Sequence, residues 1–509
     1  MAENQYEILE KKQGKKFYDY QKKALDQIFQ KIEENPTNYN LLYQLPTGGG
    51  KTVIFSGIAR HYIQSTNKKV LILTHRIELC GQTSRMLEEF GVPNKIIDSK
   101  IKSLEQDDPH LCYVAMVETL NNRLQDGAVD FDNVGLIIVD EAHYNSFRKL
   151  FKYFEKQVIL GVTATPLSSN AKLPMYDVYE ELIVGDSISD LIKKRFLAEG
   201  HTYTYDVNLT SLKIGTNGDY TVASSEKLYS SILMQEKLLQ AYEEKSLGKK
   251  TLIFNNGINT SKYVLGLFKE AGYQNIKHLD NTSPNKERKE TLQWFKDTPD
   301  AILTSVGLLT TGFDEPTVES IILNRATRSL TLYHQMIGRG SRILPNKKDF
   351  LIIDLGNNAA RFGLWNSPLD WQHIFQSPED YYDNLVSDEE IQRHFHYEMP
   401  DSLKKKFAET ESFEFDVRKE YKAAIAAGRK PKIVIEKSIQ HHAKMCIENS
   451  EDLFDAKDLA KLLREDISYK VRLYSYCICK TTNNYLKWLE EDYVRRLNGK
   501  ISEEYAAVW

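Results

Sequence analysis

Residues 40–59 read NLLYQLPTGGGKTVIFSGIA, and this stretch decides how the rest of the chain is interpreted. Its apolar start predicts a buried strand, its glycines predict a tight turn, and its apolar end predicts a helix. Glycine lets the backbone pass close to a phosphate, and a helix start presents N–H groups and a positive dipole end. Lys51 can then reach the β- and γ-phosphates of a nucleotide, and the Thr52 hydroxyl can hold Mg²⁺. The stretch therefore predicts a phosphate-binding loop, although a purely structural turn would share its glycines.

The composition indicates a globular protein with several domains. The 509 residues are 41% hydrophobic and 27% charged, with five cysteines and a net charge of −4. At about 100–200 residues per domain, this length predicts roughly three units. We expect no membrane span, because no apolar run of about 18 residues occurs, and the polar start and few cysteines favour the cytoplasm. The weak net charge means that a nucleic acid would need a local groove rather than the whole surface.

Two further strand ends in the first third of the chain carry polar side chains. The apolar run at 134–139 predicts a strand covered on both faces, and it delivers the sequence DEAH at 140–143 to its carboxyl end. Asp140 can hold Mg²⁺ through water, and Glu141 can polarise an attacking water. Thr163 and Thr165 follow the next strand and can relay the state of the γ-phosphate to another lobe, unless they form only a turn before Pro166.

Gln21 and Arg76 are candidates for contacts with the base and with nucleic acid. The Gln21 amide can donate to and accept from an adenine edge, with Tyr20 or Phe17 packed on the base. A plain helix start with a surface glutamine is the alternative. Arg76 lies where a strand opens on a helix, so it can hold a nucleic-acid phosphate or remain a solvated charge.

A second series of alternating strands and helices begins near Thr251, which argues for a second parallel sheet. Arg339 and Arg342 are three residues apart, so both can face one way on a helical turn. Two guanidinium groups aimed at a triphosphate would stabilise the charge of phosphoryl transfer, whereas a solvated pair is the default without the upstream loop. After residue 360 no phosphate or acid motif appears, and Trp365 can either stack on a base or pack against a lobe.

Seven motifs occur in a fixed order, namely Gln21, LPTGGGKT at 45–52, THR at 74–76, DEAH at 140–143, TAT at 163–165, TTGFD at 310–314 and QMIGRGSR at 335–342. This set resembles the motifs of superfamily 2 helicases, and it covers residues 17–360. Among these, the chain is most similar to bacterial RadD-type DNA-repair helicases. That family carries a zinc-binding tail, but Cys446, Cys477 and Cys479 lack the paired CxxC spacing, so the tail is not carried over.

The resemblance implies an α/β fold of two tandem RecA-like parallel-sheet lobes and a mainly helical C-terminal domain. The expected units are a lead-in at 1–16, lobe 1 at 17–172, a linker with lobe 2 at 173–360, and a helical accessory domain at 361–509. It further implies ATP and Mg²⁺ as cofactors, and DNA rather than RNA as the nucleic acid. No membrane is expected, a protein partner is expected to bind the C-terminal domain, and the oligomeric state stays open.

The resemblance also assigns roles to residues. The catalytic set is Lys51, Glu141, Gln335, Arg339 and Arg342. The ATP-binding set is Gln21, Thr47, Gly48, Gly49, Gly50, Lys51, Thr52, Gly312 and Asp314, with Thr52 and Asp140 on the metal. The nucleic-acid set is Arg76, Thr119 and Thr304, and the coupling set is Thr163 and Thr165. The expected activity is an ATP-dependent DNA helicase or translocase in DNA repair or recombination. An RNA helicase and a nucleotide-gated motor subunit of a defence or restriction complex are the alternatives.

Overall fold

The computed structural model describes residues 17–98, 108–127, 133–309, 313–388, 390–391, 397, 399–413, 415–478 and 483–508. Within these residues the chain forms two parallel sheets followed by a helical region, which confirms the predicted fold class. Among the described helices, none is long and apolar enough to cross a membrane.

Lobe 1 is built on a seven-stranded sheet with the strand order β3-β4-β2-β5-β6-β1-β7. Its strands are β1 (Tyr39–Gln44), β2 (Lys69–Thr74), β3 (Asn94–Ile97), β4 (Cys112–Met116), β5 (Val134–Asp140), β6 (Val158–Thr163) and β7 (Glu181–Val184). Its helices are α1 (Asp19–Glu34), α2 (Lys51–Thr66), α3 (Ile77–Glu89), α4 (Val117–Gln125) and α5 (Arg148–Phe151), with 3₁₀ turns at Asn145–Phe147 and Met175–Asp177. All seven residues of β5 are buried, as expected for a strand covered on both faces.

Lobe 2 is built on a six-stranded sheet with the strand order β10-β11-β9-β12-β13-β8. Its strands are β8 (Glu199–Thr204), β9 (Thr251–Asn255), β10 (Ile276–Leu279), β11 (Ile302–Ser305), β12 (Ser320–Asn324) and β13 (Asp349–Asp354). Its helices are α6 (Ile188–Lys193) in the connection from lobe 1, then α7 (Val222–Tyr229), α8 (Ile232–Lys245), α9 (Ile258–Glu270), α10 (Asn285–Asp297), α11 (Leu330–Ile337) and α12 (Asn358–Phe362). In both sheets the pairings between neighbouring named strands are parallel, so the loops at their carboxyl ends share one edge.

The connection between the sheets lies later in the chain than the boundary expected at residue 172. β7 pairs in parallel with β1 and therefore belongs to the first sheet. β8 pairs with β13 at the edge of the second sheet. The chain thus passes from one sheet to the other over residues 185–198. The short β7 was missed because the strand Glu181–Val184 is only four residues long and has no motif at its end.

After α12 the chain crosses back to lobe 1 in a segment that we call the strap, residues 363–388. It contains α13 (Trp371–Gln376) and α14 (Pro378–Asp383). The Gln372 amide donates to the Leu182 carbonyl in β7 at 2.7 Å, and Phe375 is buried in the lobe 1 core. The chain then returns to lobe 2, where the Arg361 guanidinium donates to the Val386 carbonyl at 2.7 Å. The strap therefore connects both lobes before the helical domain begins.

The helical domain has an apolar core of its own, separate from those of the lobes. Its helices are α15 (Asp401–Lys404), α16 (Val417–Ala426), α17 (Ile433–Glu448), α18 (Leu453–Leu462), α19 (Arg464–Cys477) and α20 (Asn483–Val508), with a 3₁₀ turn at Lys405–Phe407. It docks on lobe 2 through ion pairs of α16, such as Arg418 with Asp206 at 3.7 Å. Trp365 is not in this domain, because it is buried against Phe350 of lobe 2 with ring centroids 5.6 Å apart.

Candidate nucleotide site and lobe interface

The glycine-rich loop lies between β1 and α2, as the sequence predicts. Gly48 and Gly50 both have positive φ, at 94° and 84°, which explains why glycine stands there. Gly50 is the residue before the first turn of α2, and within the described chain no side chain caps that helix start. The buried Thr47 hydroxyl also has no hydrogen-bond partner among the described residues. These open N–H groups and this hydroxyl fit a bound phosphate chain.

Gln21 and Tyr20 brace the loop from α1. The Tyr20 hydroxyl donates to the Gly49 carbonyl at 2.7 Å, and the Gln21 amide donates to the Tyr20 oxygen at 3.3 Å. The Gln21 carbonyl oxygen accepts from the Tyr18 N–H at 3.0 Å. Gln21 is only 3% exposed, so it lies against the loop and not on an open surface. Phe17 is buried in the core at 2% exposure, and Tyr18 is the exposed aromatic side chain here.

The acidic pair lies at the end of β5, facing the same edge as the loop. Asp140 and Glu141 are both buried, and Glu141 has a φ of 54°, a strained value for a residue with a side chain. Burial, together with the Glu141 charge, raises the pKa of Asp140 to about 7. Burial also acts to raise the pKa of Glu141, but the charge of Lys51 and the other cationic groups around it together outweigh burial, and that pKa is lowered. Glu141 is therefore ionised at neutral pH and Asp140 only partly so, and a divalent cation would favour ionisation of both.

His143 connects the acidic pair to both lobes. Its Nδ1 lies 3.0 Å from the Thr163 hydroxyl and 3.4 Å from a Glu141 carboxylate oxygen. Its Nε2 lies 3.5 Å from the amide nitrogen of Gln335 in lobe 2. The Thr163 hydroxyl already donates to the Thr165 carbonyl, so Nδ1 of His143 carries the proton and Nε2 accepts from Gln335. Burial lowers the pKa of His143 to about 4, so the ring stays neutral at physiological pH.

Arg342 of lobe 2 lies directly over the phosphate-binding loop of lobe 1. A Cβ built on Gly48 would overlap the Arg342 guanidinium and would lie 2.8 Å from Ser341 Oγ. The Arg342 Nε donates to the Asp314 carboxylate at 2.9 Å, while the buried Nη1 has no partner among the described residues. An unpartnered guanidinium nitrogen beside the loop fits a phosphate oxygen.

Arg339 and Gly338 complete the lobe 2 side of the interface. The Arg339 guanidinium donates to the Phe313 carbonyl at 2.6 Å, and burial, with the neighbouring Arg342 charge, lowers its pKa to about 10. A Cβ built on Gly338 would lie 2.6 Å from the Thr47 side chain. Only glycine at position 338 allows the two lobes to approach this closely. Gly312 lies outside the described residues.

The two coupling candidates lie at the lobe interface. Thr163 is bonded to His143 and Thr165, as described above. The Thr165 hydroxyl donates to the Thr331 hydroxyl of α11 at 2.9 Å, which is a direct side-chain contact between the lobes. This arrangement joins the end of β6 in lobe 1 to the helix that leads into Gln335, Arg339 and Arg342.

The three nucleic-acid candidates lie in different environments. The Arg76 guanidinium donates to the carbonyls of Leu308 and Gly307 in lobe 2, at 3.2 and 3.4 Å. Thr119 is half-buried in the first turn of α4. Thr304 is fully buried in β11, and its hydroxyl is bonded to Asn255 and Ser261, both at 2.8 Å. The structure therefore does not place the Thr304 hydroxyl where a bound strand can reach it, because strand burial outweighs the strand-end position.

Some residues of the site were missing from the predicted set. His143 belongs to a quoted motif, but its bond to Gln335 depends on how two lobes pack. Thr331 and Gly338 have no local signal of their own, although both lie close to QMIGRGSR. The sequence showed only that Thr331 lies one helical turn before that motif and that Gly338 lies inside it.

Two family descriptions match the chain. Residues 14–168 match the family described as "Type III restriction enzyme, res subunit", and residues 232–344 match "Helicase conserved C-terminal domain". The curated relative "Putative ATP-dependent helicase IRC3" of Saccharomyces cerevisiae is 31% identical over 372 residues, which are 69% of this chain. The chain spans only about half, 52%, of that relative's length.

Two solved structures are similar in fold. One is described as "the fragment structure of a putative HsdR subunit of a type I restriction enzyme" from Vibrio vulnificus, with TM-score 0.53, 22% identity, and coverage of 67% of this chain and 64% of the other. The second is "ATP-dependent Type ISP restriction-modification enzyme LlaBIII bound to DNA", with TM-score 0.51, 16% identity, and coverage of 91% and 35%. The two matched domains overlap the two lobes and include their ordered motifs, and together they indicate a superfamily 2 helicase.

Proposed function

We propose that this protein is an ATP-dependent motor that hydrolyses ATP to move along DNA or to remodel it, in DNA repair or recombination. The observation that carries this proposal is the position of Arg342. A guanidinium of lobe 2 lies over the phosphate-binding loop of lobe 1, with one nitrogen unpartnered among the described residues. A charge placed there by the second lobe makes catalysis depend on how the lobes are arranged.

The residues at the interface fit ATP and Mg²⁺. Lys51 and the loop N–H groups would hold the phosphates, and Thr52 and Asp140 would hold the metal, which supplies charge stabilisation at the γ-phosphate. Glu141 would orient a water, and Gln335 would act on Glu141 through its contact with His143. Arg339 and Arg342 supply positive charge from lobe 2, and Asp314 orients Arg342 through its Nε.

The contacts between the lobes supply a route from hydrolysis to movement. Glu141 lies 3.4 Å from His143, which is bonded to Thr163, and His143 and Thr165 each contact lobe 2. A change at Glu141 therefore alters contacts with α11. Arg76 follows β2 of lobe 1 and donates to a carbonyl of lobe 2. If the lobes separated, its guanidinium would be free to bind a phosphate of the nucleic acid.

A steady-state ATPase assay tests the proposal. The full chain is measured without polymer, with single-stranded DNA, with branched DNA and with RNA. We expect hydrolysis that DNA stimulates, and we expect Lys51→Ala to reduce it by about 100-fold or more. Lys461→Ala, a side chain 77% exposed in the helical domain, is the matched control and should leave the rate unchanged.

Two results would contradict the proposal. If Lys51→Ala retained the wild-type rate, the assignment of the nucleotide site would be wrong. If only RNA stimulated hydrolysis, the RNA helicase alternative would replace the DNA motor.

A second candidate function is that of a motor subunit in a restriction-type complex. It is favoured by the fold similarity to LlaBIII, which extends over 91% of this chain and so reaches into the helical domain. The two candidates differ if this one moves along duplex DNA without separating the strands. Displacement of a triplex-forming oligonucleotide without strand separation would support this candidate, whereas separation of a forked duplex would support the helicase.

A further inference from the structure

Lys347 is a buried cation that has no role in the arrangement described so far. It is 7% exposed, although lysine is almost never buried without a partner. Its ammonium donates three hydrogen bonds, to the carbonyls of Gly340 at 2.7 Å, Arg342 at 2.8 Å and Pro316 at 2.9 Å. These three acceptors match the three N–H donors of a lysine, so backbone oxygens compensate for its burial.

A tight turn in the sequence LPNK at 344–347 brings Lys347 back to the segment that it follows. The backbones of Leu344 and Lys347 exchange two hydrogen bonds, at 2.9 and 3.0 Å. The two central residues are proline, which presets φ, and asparagine, which is a common turn residue. Lys348, next in the chain, is exposed. The sequence therefore contains two adjacent lysines, and the turn buries only the first of them.

The three carbonyls belong to two segments of the lobe 2 half of the nucleotide site. The first segment, residues 340–342, carries Arg342. The second segment, residues 313–316, contains Asp314, whose carboxylate accepts a hydrogen bond from the Arg342 Nε at 2.9 Å. Lys347 bonds to both segments, so it fixes the distance between them and the geometry of the pair that Arg342 makes with Asp314.

The backbone at Arg342 is held from two sides. On one side is the connection between the lobes, where Leu197 pairs with Arg342 as an antiparallel bridge and the Ala198 N–H donates to the Ser341 carbonyl at 2.9 Å. On the other side is the Lys347 ammonium. Because a side chain turns with its backbone, loss of the ammonium would change where the Arg342 guanidinium lies relative to the phosphate-binding loop.

We propose that Lys347 is a positioning residue for ATP hydrolysis, which directs the Arg342 guanidinium at the phosphate-binding loop. Its own three donors are bonded to carbonyls, so it acts through Arg342 and not on a phosphate. This proposal rests on the proposed function, since Arg342 acts on phosphoryl transfer only if the loop binds ATP. A catalytic group that is misplaced by about 1 Å can lose about 100-fold in rate. Removal of the ammonium should therefore resemble a partial loss of Arg342.

A double-mutant cycle on kcat tests whether Lys347 acts through Arg342. Hydrolysis of radiolabelled ATP by the full chain is measured at saturating ATP and DNA. We expect Lys347→Met, which keeps the stem and removes the ammonium, to lower kcat by about 10–100-fold and to change KM by less than about 3-fold. In an Arg342→Ala background the same substitution should change kcat by less than about 3-fold, because the group that it positions is absent. Lys348→Met, at the exposed neighbour, is the matched control and should leave kcat unchanged.

Two results of the cycle would overturn the proposal. If Lys347→Met retained the wild-type kcat, the ammonium would not position Arg342. If it lowered kcat equally in the wild-type and Arg342→Ala backgrounds, Lys347 would support the fold and would not act through Arg342.

The pH profile of kcat supplies a measurement that does not depend on how a Lys347 variant folds. Burial, together with the Arg342 charge, lowers the pKa of Lys347 to about 8, against the opposite effect of Glu319, Glu315 and Asp349. Above that pH the neutral amine has only two N–H donors for three carbonyls. We expect the wild-type kcat to fall by about 10-fold between about pH 7 and pH 9, and we expect no such fall for Arg342→Ala. A flat wild-type profile, or the same fall in both proteins, would also overturn the proposal.

Failure of the proposed function gives a different result. A wild-type chain without ATPase activity, or an Arg342→Ala variant as active as wild type, would overturn the proposed function and this proposal with it. If Arg342→Ala lost activity and Lys347→Met did not, the proposed function would stand and the role of Lys347 alone would be refuted.

Discussion

The two lobes meet at two places that differ in chemistry. At the nucleotide site the contacts are polar, such as Thr165 with Thr331, and several buried polar atoms have no partner among the described residues. At the strap the described residues combine hydrogen bonds, such as Gln372 to Leu182 and Tyr382 to Ser168, with apolar burial, since Phe375 is 5% exposed in the lobe 1 core. We expect an interface that opens to be held by weak polar contacts, and an interface that persists to bury apolar side chains.

Typical magnitudes support this distinction. A hydrogen bond such as that between Thr165 and Thr331 contributes about 0.5–1.5 kcal/mol net. Burial of a phenylalanine side chain contributes about 1.5–3 kcal/mol. We infer that the lobes separate more easily at the nucleotide site than at the strap, so that the strap acts as the hinge side of the interface.

The largest effect is expected from Arg342→Ala, which removes the lobe 2 charge over the loop. An arginine that acts on phosphoryl transfer typically contributes about 10³–10⁵ in kcat. We expect DNA-stimulated ATPase turnover to fall by about 1,000-fold with a much smaller change in KM. Arg495→Ala, 77% exposed in α20, is the control. Equal rates for the two variants would remove Arg342 from the catalytic set.

The next largest effect is expected from Phe375→Ala at the strap. Truncation of a buried phenylalanine costs about 3–5 kcal/mol. We expect this loss in the free energy of unfolding from urea titration, together with faster amide exchange over residues 371–383. Phe454→Ala, which removes a ring that is 79% exposed in the helical domain, should change stability by no more than about 0.5 kcal/mol. If Phe375→Ala behaved like that exposed control, the strap would not hold the lobes.

The pH dependence of stability should contain a contribution from His334, next to the strap. His334 of α11 lies edge-on to Trp371 of the strap, with centroids 6.0 Å apart, and burial lowers its pKa to about 4 from 6.5. Between these values the unfolded chain binds a proton that the folded chain does not, so stability is present above pH 6.5 and is lost as the pH falls towards 4.

The slope due to His334 is at most about 1.4 kcal/mol per pH unit. His75, His143 and His442 shift in the same direction, so the quantity to measure is the difference between wild type and His334→Leu. We expect the variant to lose less free energy of unfolding between pH 6.5 and 4. Parallel curves for the two proteins would mean that the pKa of His334 is the same in the folded and the unfolded chain.

The smallest effect is expected from Thr331→Val, which keeps the shape and removes one hydrogen bond between the lobes. Stability should fall by about 0.5–1.5 kcal/mol. Basal ATPase activity should change little, and its stimulation by DNA should fall, because Thr165 loses its lobe 2 partner. Unchanged stimulation would show that this contact does not connect hydrolysis to the nucleic acid.

The nucleotide site and the strap also differ in how well they could be predicted from the sequence. The nucleotide side could be located because strand-end motifs such as the one at Lys51 act locally, and parallel strands bring their ends to one edge. The strap could not be located, since Phe375 and Gln372 have no signal until two lobes are packed. The same limit explains Thr304, whose strand-end position was visible in the sequence and whose burial was not.

The exit of the strap has a mechanical consequence. Asp388 accepts hydrogen bonds from the buried Arg361 and from Tyr220 at 2.5 Å, just before the helical domain begins. These bonds restrict rotation of the helical domain relative to lobe 2. The two would rotate as one rigid unit, and a load attached to the far helices would deliver torque to lobe 2, which carries Arg339 and Arg342.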